Sequence, residues 1–176
     1  ANALPVTTSL NLLGSVSAAA NEYVTLDLNG NSQTLAGLTD TGSSQANTSG
    51  TIGKRVINSG ALATLTINNS GPDTYGTTGS QVLAGTIGGT TAGLVAANSL
   101  ALVKTGAGTL TLGGANTYTG STTVSSGLIN LGVAETAGTS GPLGNPSTLA
   151  NSIILQGGGL QFSANNATVS GFTITH

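Results

Sequence analysis

Hydrophobic and polar residues alternate in short runs along this chain, at Val24-Thr25-Leu26-Asp27-Leu28, Leu62-Ala63-Thr64-Leu65-Thr66-Ile67 and Thr109-Leu110-Thr111-Leu112. A period of two puts successive side chains on opposite faces of an extended backbone, so each run predicts a β-strand with one buried face. Turn formers follow each run, at Asn29-Gly30-Asn31, Asn68-Asn69-Ser70-Gly71-Pro72-Asp73 and Gly113-Gly114-Ala115-Asn116. Gly and Asn accept the positive φ that tight corners need. Helix has little support, because glycines interrupt every window long enough for a 3.6-residue pattern and each costs about 1 kcal/mol inside a helix. The exception is the short run 15–22 with Ala18-Ala19-Ala20, which a loop or a single turn explains as well.

Set against itself, the chain shows residues 26–38 recurring at 160–172. Leu26/Leu160, Leu28/Phe162, Asn31/Asn165, Thr34/Thr168, Leu35/Val169, Gly37/Gly171 and Leu38/Phe172 correspond, so hydrophobic, corner and hydroxyl positions agree together. This divides the chain into a repeat unit over 1–149 and the start of a second copy over 150–176, an excerpt of a longer tandem array. Short strands with Gly and Asn corners stack coil on coil, each coil satisfying the backbone of the next, which favours an elongated all-β solenoid over a sandwich. At about 20–25 residues per coil and about 4.8 Å between coils, roughly seven to nine coils would make a rod about 40 Å long.

Composition sharpens this picture. Hydrophobic residues make up 38% and mean hydropathy is +0.24, so apolar surface is being buried and disorder is excluded. Aromatics are 3% and Trp and Met are absent, which predicts a narrow interior of Leu and small or β-branched residues. Charged residues are only 5%, against about 25% in an average soluble protein, so hydroxyl, amide and backbone groups must form the surface. Three Lys+Arg and a net charge of −2 provide no basic stripe for nucleic acid. No apolar run is long enough to insert in a membrane as a helix, and Ala1-Asn2-Ala3-Leu4-Pro5 lacks the regions of a signal peptide, so an exported protein would be seen here as a mature segment. The absence of cysteine excludes disulfides and thiolate metal sites without assigning a compartment.

One stretch, 102–132, carries a specific pattern: Lys104-Thr105-Gly106-Ala107-Gly108, the strand Leu110-Thr111-Leu112, the corner Ala115-Asn116-Thr117-Tyr118-Thr119-Gly120, and the closing Gly127-Leu128-Ile129-Asn130-Leu131-Gly132. It resembles the autotransporter-associated β-strand repeat, a passenger-associated repeat of large secreted bacterial surface proteins. The flanking Asn2-Ala3-Leu4-Pro5 and Leu26-Asp27-Leu28-Asn29-Gly30 resemble the spacers between such repeats. The resemblance implies a right-handed parallel β-helix, exported and displayed at the cell surface or released, with the repeat assisting translocation and folding outside the cell. The family's C-terminal membrane barrel and signal peptide have no counterpart in these 176 residues.

Candidate chemistry is sparse. A catalytic triad needs a base, and the one histidine is His176. The acids Glu22, Asp27, Asp40, Asp73 and Glu135 are scattered through turns and read as solvated corner residues instead of converging carboxylates. Gly53-Lys54 lacks the rest of a phosphate loop, Gly106-x-Gly108 is not followed by a third glycine, and no repeat supplies the Asp of a calcium-binding nonapeptide. Lys54-Arg55 reads as a solvated loop. Tyr23, Tyr75 and Tyr118 would stack sugars only if they shared a face, and Tyr118 reads as packing across its corner. The sets Thr64/Thr66, Thr109/Thr111, Thr117/Thr119 and Thr173/Thr175 offer a glycan- or ice-binding face if they ladder, although outward strand positions favour Thr in any case. The expected protein has no catalytic, cofactor or metal site. It is a structural or interaction segment, a stalk or fibre, partnered by neighbouring repeats or its own copies end to end and by surface glycans.

Overall fold

The computed structural model describes residues 2–12, 22–40, 52–75, 86–88, 98–134, 140–145, 152–162 and 173–175, with backbone alone at 22–23, 52–53, 86, 152 and 173–175. Among them there is no helix, and every strand pairing is parallel. The described residues are all-β, as the alternation predicts, and their parallel stacking is consistent with a β-helix-like fold. Of the run 15–22, only Glu22 lies among the described residues, as the first residue of a strand.

The strands form three stacks, visited in the same order on successive passes of the chain. The first holds β2 (Glu22–Asp27), the front of β5 (Ile52–Asn68) and β7 (Thr86–Ile87). The second holds β3 (Gln33–Leu35), the rear of β5, β8 (Asn98–Thr105), β10 (Thr122–Val124), β12 (Ser152–Leu155) and β14 (Thr173–Thr175). The third holds β6 (Asp73–Tyr75), β9 (Thr109–Leu112), β11 (Leu128–Leu131) and β13 (Gly159–Phe162). The pair β1 (Ser9–Asn11) and β4 (Gly37–Thr39) lies beside β6, where the Leu38 N–H donates to Asp73 Oδ2 at 3.1 Å. Beyond β7, Thr117 N–H bonds Ile87 O and Asn145 N–H bonds Tyr118 O, so irregular backbone continues the first stack.

Register explains the core. Pairing aligns Gln33, Leu65, Leu102, Thr122 and Ile153 in one column and Leu35, Ile67, Lys104, Val124 and Leu155 in the next. All are buried except half-buried Leu155. The third stack aligns Tyr75, Leu112, Leu131 and Phe162, and also Leu110, Ile129 and Leu160. Intervening residues such as Thr66, Val103 and Thr123 point outward and remain half-exposed. The interior is therefore narrow and made chiefly of Leu, Ile and Val, with each full burial of such a side chain contributing about 1.5–3 kcal/mol.

Coil length departs from the expected 20–25 residues. Leu102 pairs with Thr122, 20 residues on, but Leu65 pairs with Leu102, 37 on, and Val124 with Leu155, 31 on. Parallel pairing fixes strand register and leaves the corner lengths free, so the second stack is six strands deep among the described residues. The correspondence at 26–38 and 160–172 relates Leu26 in the first stack to Leu160 in the third, and 163–172 lies outside the described residues.

Two neighbouring positions of β8 test this core. Leu102→Ala should lower unfolding free energy by about 3 kcal/mol, as deletion of a fully buried Leu does. Val103→Ala, on the outer face, should cost about 0.5 kcal/mol or less. Urea denaturation followed by the strand signal in circular dichroism reads both.

Candidate functional site

The region with the most chemically specific sequence, 102–132, begins in the second stack and runs through one complete coil into the next. Its lysine faces inward. Lys104 is in register with Ile67 and Val124, and its side chain is fully buried. Its Nζ donates to the carbonyls of Thr105 and, at 2.9 Å, Gly106, where β8 gives way to the corner before β9. The stem fills the column as a hydrophobe would, and the ammonium is satisfied by carbonyls at the corner. Burial pulls the Lys104 amine below its ordinary range, opposed by the nearby charge of Asp73.

Glycines set the corner's shape. Gly106 and Gly127 have φ of 74° and 67° at equivalent corners of successive coils, and a Cβ on Gly108 would fall on the carbonyl of Gly71 in the coil below. After β9, Asn116 is fully buried and accepts the Ile87 N–H at 2.8 Å through Oδ1. Its Nδ2 donates to Pro142 O at 2.7 Å, so one amide joins the coils on either side. Tyr118 is also fully buried, and its hydroxyl meets Thr122 Oγ1 at 2.6 Å. The repeated residues are thus those that close a coil and bind it to its neighbours.

This geometry coincides with the comparison to known families. Residues 102–131 match the passenger-associated-transport-repeat family. The match covers under a fifth of the chain. The family is that of autotransporter-type passengers and implies a secreted or surface-exposed protein. No curated protein and no solved structure matches the chain.

Outside the passenger repeat, the structure relocates several residues expected at the surface. Lys54 and Arg55 are not a solvated loop: both are buried in β5. Lys54 is in register with Val24, and its Nζ reaches Asp40 O at 2.6 Å, repeating the role of Lys104 at another corner. Asp40 is 1% exposed and Asp73 is half-buried, so neither is a solvated corner acid. Burial raises the Asp73 carboxyl above its ordinary range, against the Leu38 N–H and Lys104, which stabilise its anion. Asp27 is exposed, as expected. Burial pushes its carboxyl upward, but hydrogen bonds from the Ser59 hydroxyl and N–H and the Asn29 N–H outweigh that and hold it below the usual value. The side chains of Glu22 and Tyr23, and residues Glu135 and His176, lie outside the described structure.

The other binding candidates fare similarly. Tyr75 and Tyr118 are both buried and present no sugar-stacking platform. Thr64/Thr66 lie in the second stack and Thr109/Thr111 in the third, so these pairs do not ladder on one another. Thr117 and Thr119 bond Asn98 through their hydroxyls, and the Thr173/Thr175 side chains are not described. A cleft of about 230 Å³ beside Leu4, Leu26, Leu28 and Gln33 is mainly apolar. Gln33 there is engaged with the N–H groups of Ala3 and Leu4, both at 2.9 Å. Among the described residues no three His, Cys, Asp or Glu side chains group to hold a metal.

Two measurements probe this construction. Asn116→Ala strands the Ile87 N–H and Pro142 O and should cost about 2 kcal/mol, whereas Asn130→Ala in the same repeat, half-exposed in β11, should stay within about 0.5 kcal/mol in urea titrations. Tyr75 gives a pH signature. Burial, reinforced by Asp40, lifts its hydroxyl far above the ordinary 10. The folded chain therefore keeps a proton that the unfolded chain releases, so this contribution to stability is complete below pH 10 and declines as pH rises above it. Tyr75→Phe should flatten the alkaline decline measured by urea titration between pH 9 and pH 11.

Proposed function

We propose that this chain is a non-catalytic structural segment of a passenger displayed on, or released from, a bacterial surface. In this reading its coils form a right-handed parallel β-helix that serves as a stalk or fibre. The observation that carries it is continuity. The inward columns pass through the family-matched segment into coils with no family match, Leu65 to Leu102 to Ile153 and Tyr75 to Leu112 to Leu131 to Phe162. The passenger repeat is thus one course of a common wall, and its specific residues are engaged internally instead of being aimed at a substrate.

Association between copies or with further repeats extends the same reading. Among the described residues β2 and β13 each pair on one side only, and open parallel edges are templates for another strand. Phe162 is 48% exposed although its column mates Leu112 and Leu131 are buried, so an apolar inward position awaits cover.

A second reading is a binding face for neutral glycan or ice on the outside of the second stack. Register places Thr34, Thr66, Val103, Thr123 and Ile154 in one outward column without charge. Strand spacing sets these methyl- and hydroxyl-bearing residues about 4.8 Å apart.

Electron microscopy of the natural material separates these readings. Rods or filaments with a meridional spacing of about 4.8 Å in fibre diffraction are expected for the stalk, and compact particles lacking that spacing would overturn it. Retention on a glycan array or in ice that falls at least tenfold in Thr66→Val/Thr123→Val would instead establish the binding face.

A further inference from the structure

The corner between β5 and β6 contains two adjacent asparagines with opposite fates. Asn69 is buried, and its Nδ2 donates to Gly71 O at 2.7 Å and to Thr109 O of the next coil at 3.0 Å. Asn58 and Asn116 are likewise buried and joined to neighbouring coils. Asn68 is exposed, and among the described residues its side-chain amide makes no hydrogen bond. It ends β5 in ladder contact with Thr105, so its backbone is held while its side chain is available.

Asn68 also begins the triplet Asn68-Asn69-Ser70, in which an asparagine is followed two residues later by a hydroxyl and the intervening residue is not proline. That triplet is the acceptor pattern for N-linked sugar on exposed segments of secreted proteins. Ser70 is exposed beside it. The sequence contains two more such triplets, Asn47-Thr48-Ser49 and Asn166-Ala167-Thr168, outside the described residues.

We infer that Asn68 is an acceptor for N-linked glycosylation, with a diphosphate-activated sugar as the donor. A transferase would join Asn68 Nδ2 to the anomeric carbon. The carbon–oxygen bond to the diphosphate breaks with its electron pair, and the displaced amide proton passes to a base of the transferase. The structure supplies a reason for the modification. Lys54, Arg55 and Lys104 are all buried, so the chain keeps its cations away from the surface. A surface with so little charge resists self-association poorly, and a sugar at an outer corner would hydrate it between neighbouring rods. The inference rests on the proposed export of the chain, since the transferase must meet it on that route.

The test is glycopeptide mapping of the protein recovered from its own producing cells, for the native chain, Asn68→Gln and Ser70→Ala. A mass increment of one or more hexoses on the Asn68 peptide is expected, absent from both variants, with unchanged circular dichroism showing that each still folds. Unmodified Asn68, increments confined to Asn47 and Asn166, or an increment that survives Ser70→Ala would overturn the assignment. Cell fractionation of the same preparation keeps the two readings apart: unmodified protein outside the cell refutes the acceptor alone, and protein retained inside refutes export as well.

Discussion

Everything in this fold depends on satisfying backbone groups where the chain turns. Along the strands, parallel pairing does this automatically from coil to coil, but a corner interrupts the ladder and leaves N–H and C=O groups at the edge of an apolar interior. A buried asparagine serves each of the three kinds of corner. Asn58, between the first and second stacks, accepts the Gly30 N–H at 2.7 Å and donates to Ser99 O at 2.5 Å, bridging three successive coils. Asn69, between the second and third stacks, donates to Thr109 O of the next coil while its buried Oδ1 is left without a partner, and Asn116, on the return to the first, both accepts and donates across coils. A carboxamide suits the task because one short, uncharged group both donates and accepts.

The buried lysines extend the same logic. A free ammonium in a narrow apolar interior carries a large desolvation cost, which is the cause of the lowered Lys104 pKa. Placing Nζ against corner carbonyls offsets that cost, while the stem packs in a column otherwise held by Ile67 and Val124. Lys54 at Asp40 O shows that this is a property of the coil and not of the family motif alone. Interior placement of the cations also explains how so charge-poor a chain has a surface dominated by hydroxyl and amide groups.

Much of the strand pattern was legible because period two is a local signal: Leu65 and Ile67, like Leu110 and Leu112, alternate with Thr in the sequence and are buried in the structure. The passenger repeat was legible because its Lys104-to-Gly108 start, its Asn116-Thr117-Tyr118 corner and its closing strand resemble a known family pattern. Lys54, Arg55 and Asp40 were misread because charge ordinarily marks solvent, and the carbonyl that receives the Lys54 ammonium, that of Asp40, lies 14 residues away in the chain. Which Thr pairs share a face was not legible, for a related reason. Alternation reveals that Thr66 and Thr111 face outward, but which stack each belongs to is set by corner lengths that local sequence does not encode.

Those unequal lengths follow from the division of labour between strand and corner. The family-matched coil closes in 20 residues between Leu102 and Thr122, while the coil before it takes 37 between Leu65 and Leu102, yet both present Leu to the same column. A strand needs only the correct parity to face the core, and a buried asparagine or lysine needs only a corner carbonyl within reach. Additional chain can therefore enter at corners without disturbing the wall. A chain built this way can vary its corners while retaining its columns, which leaves the corners, where Asn68 lies, as the places most open to change.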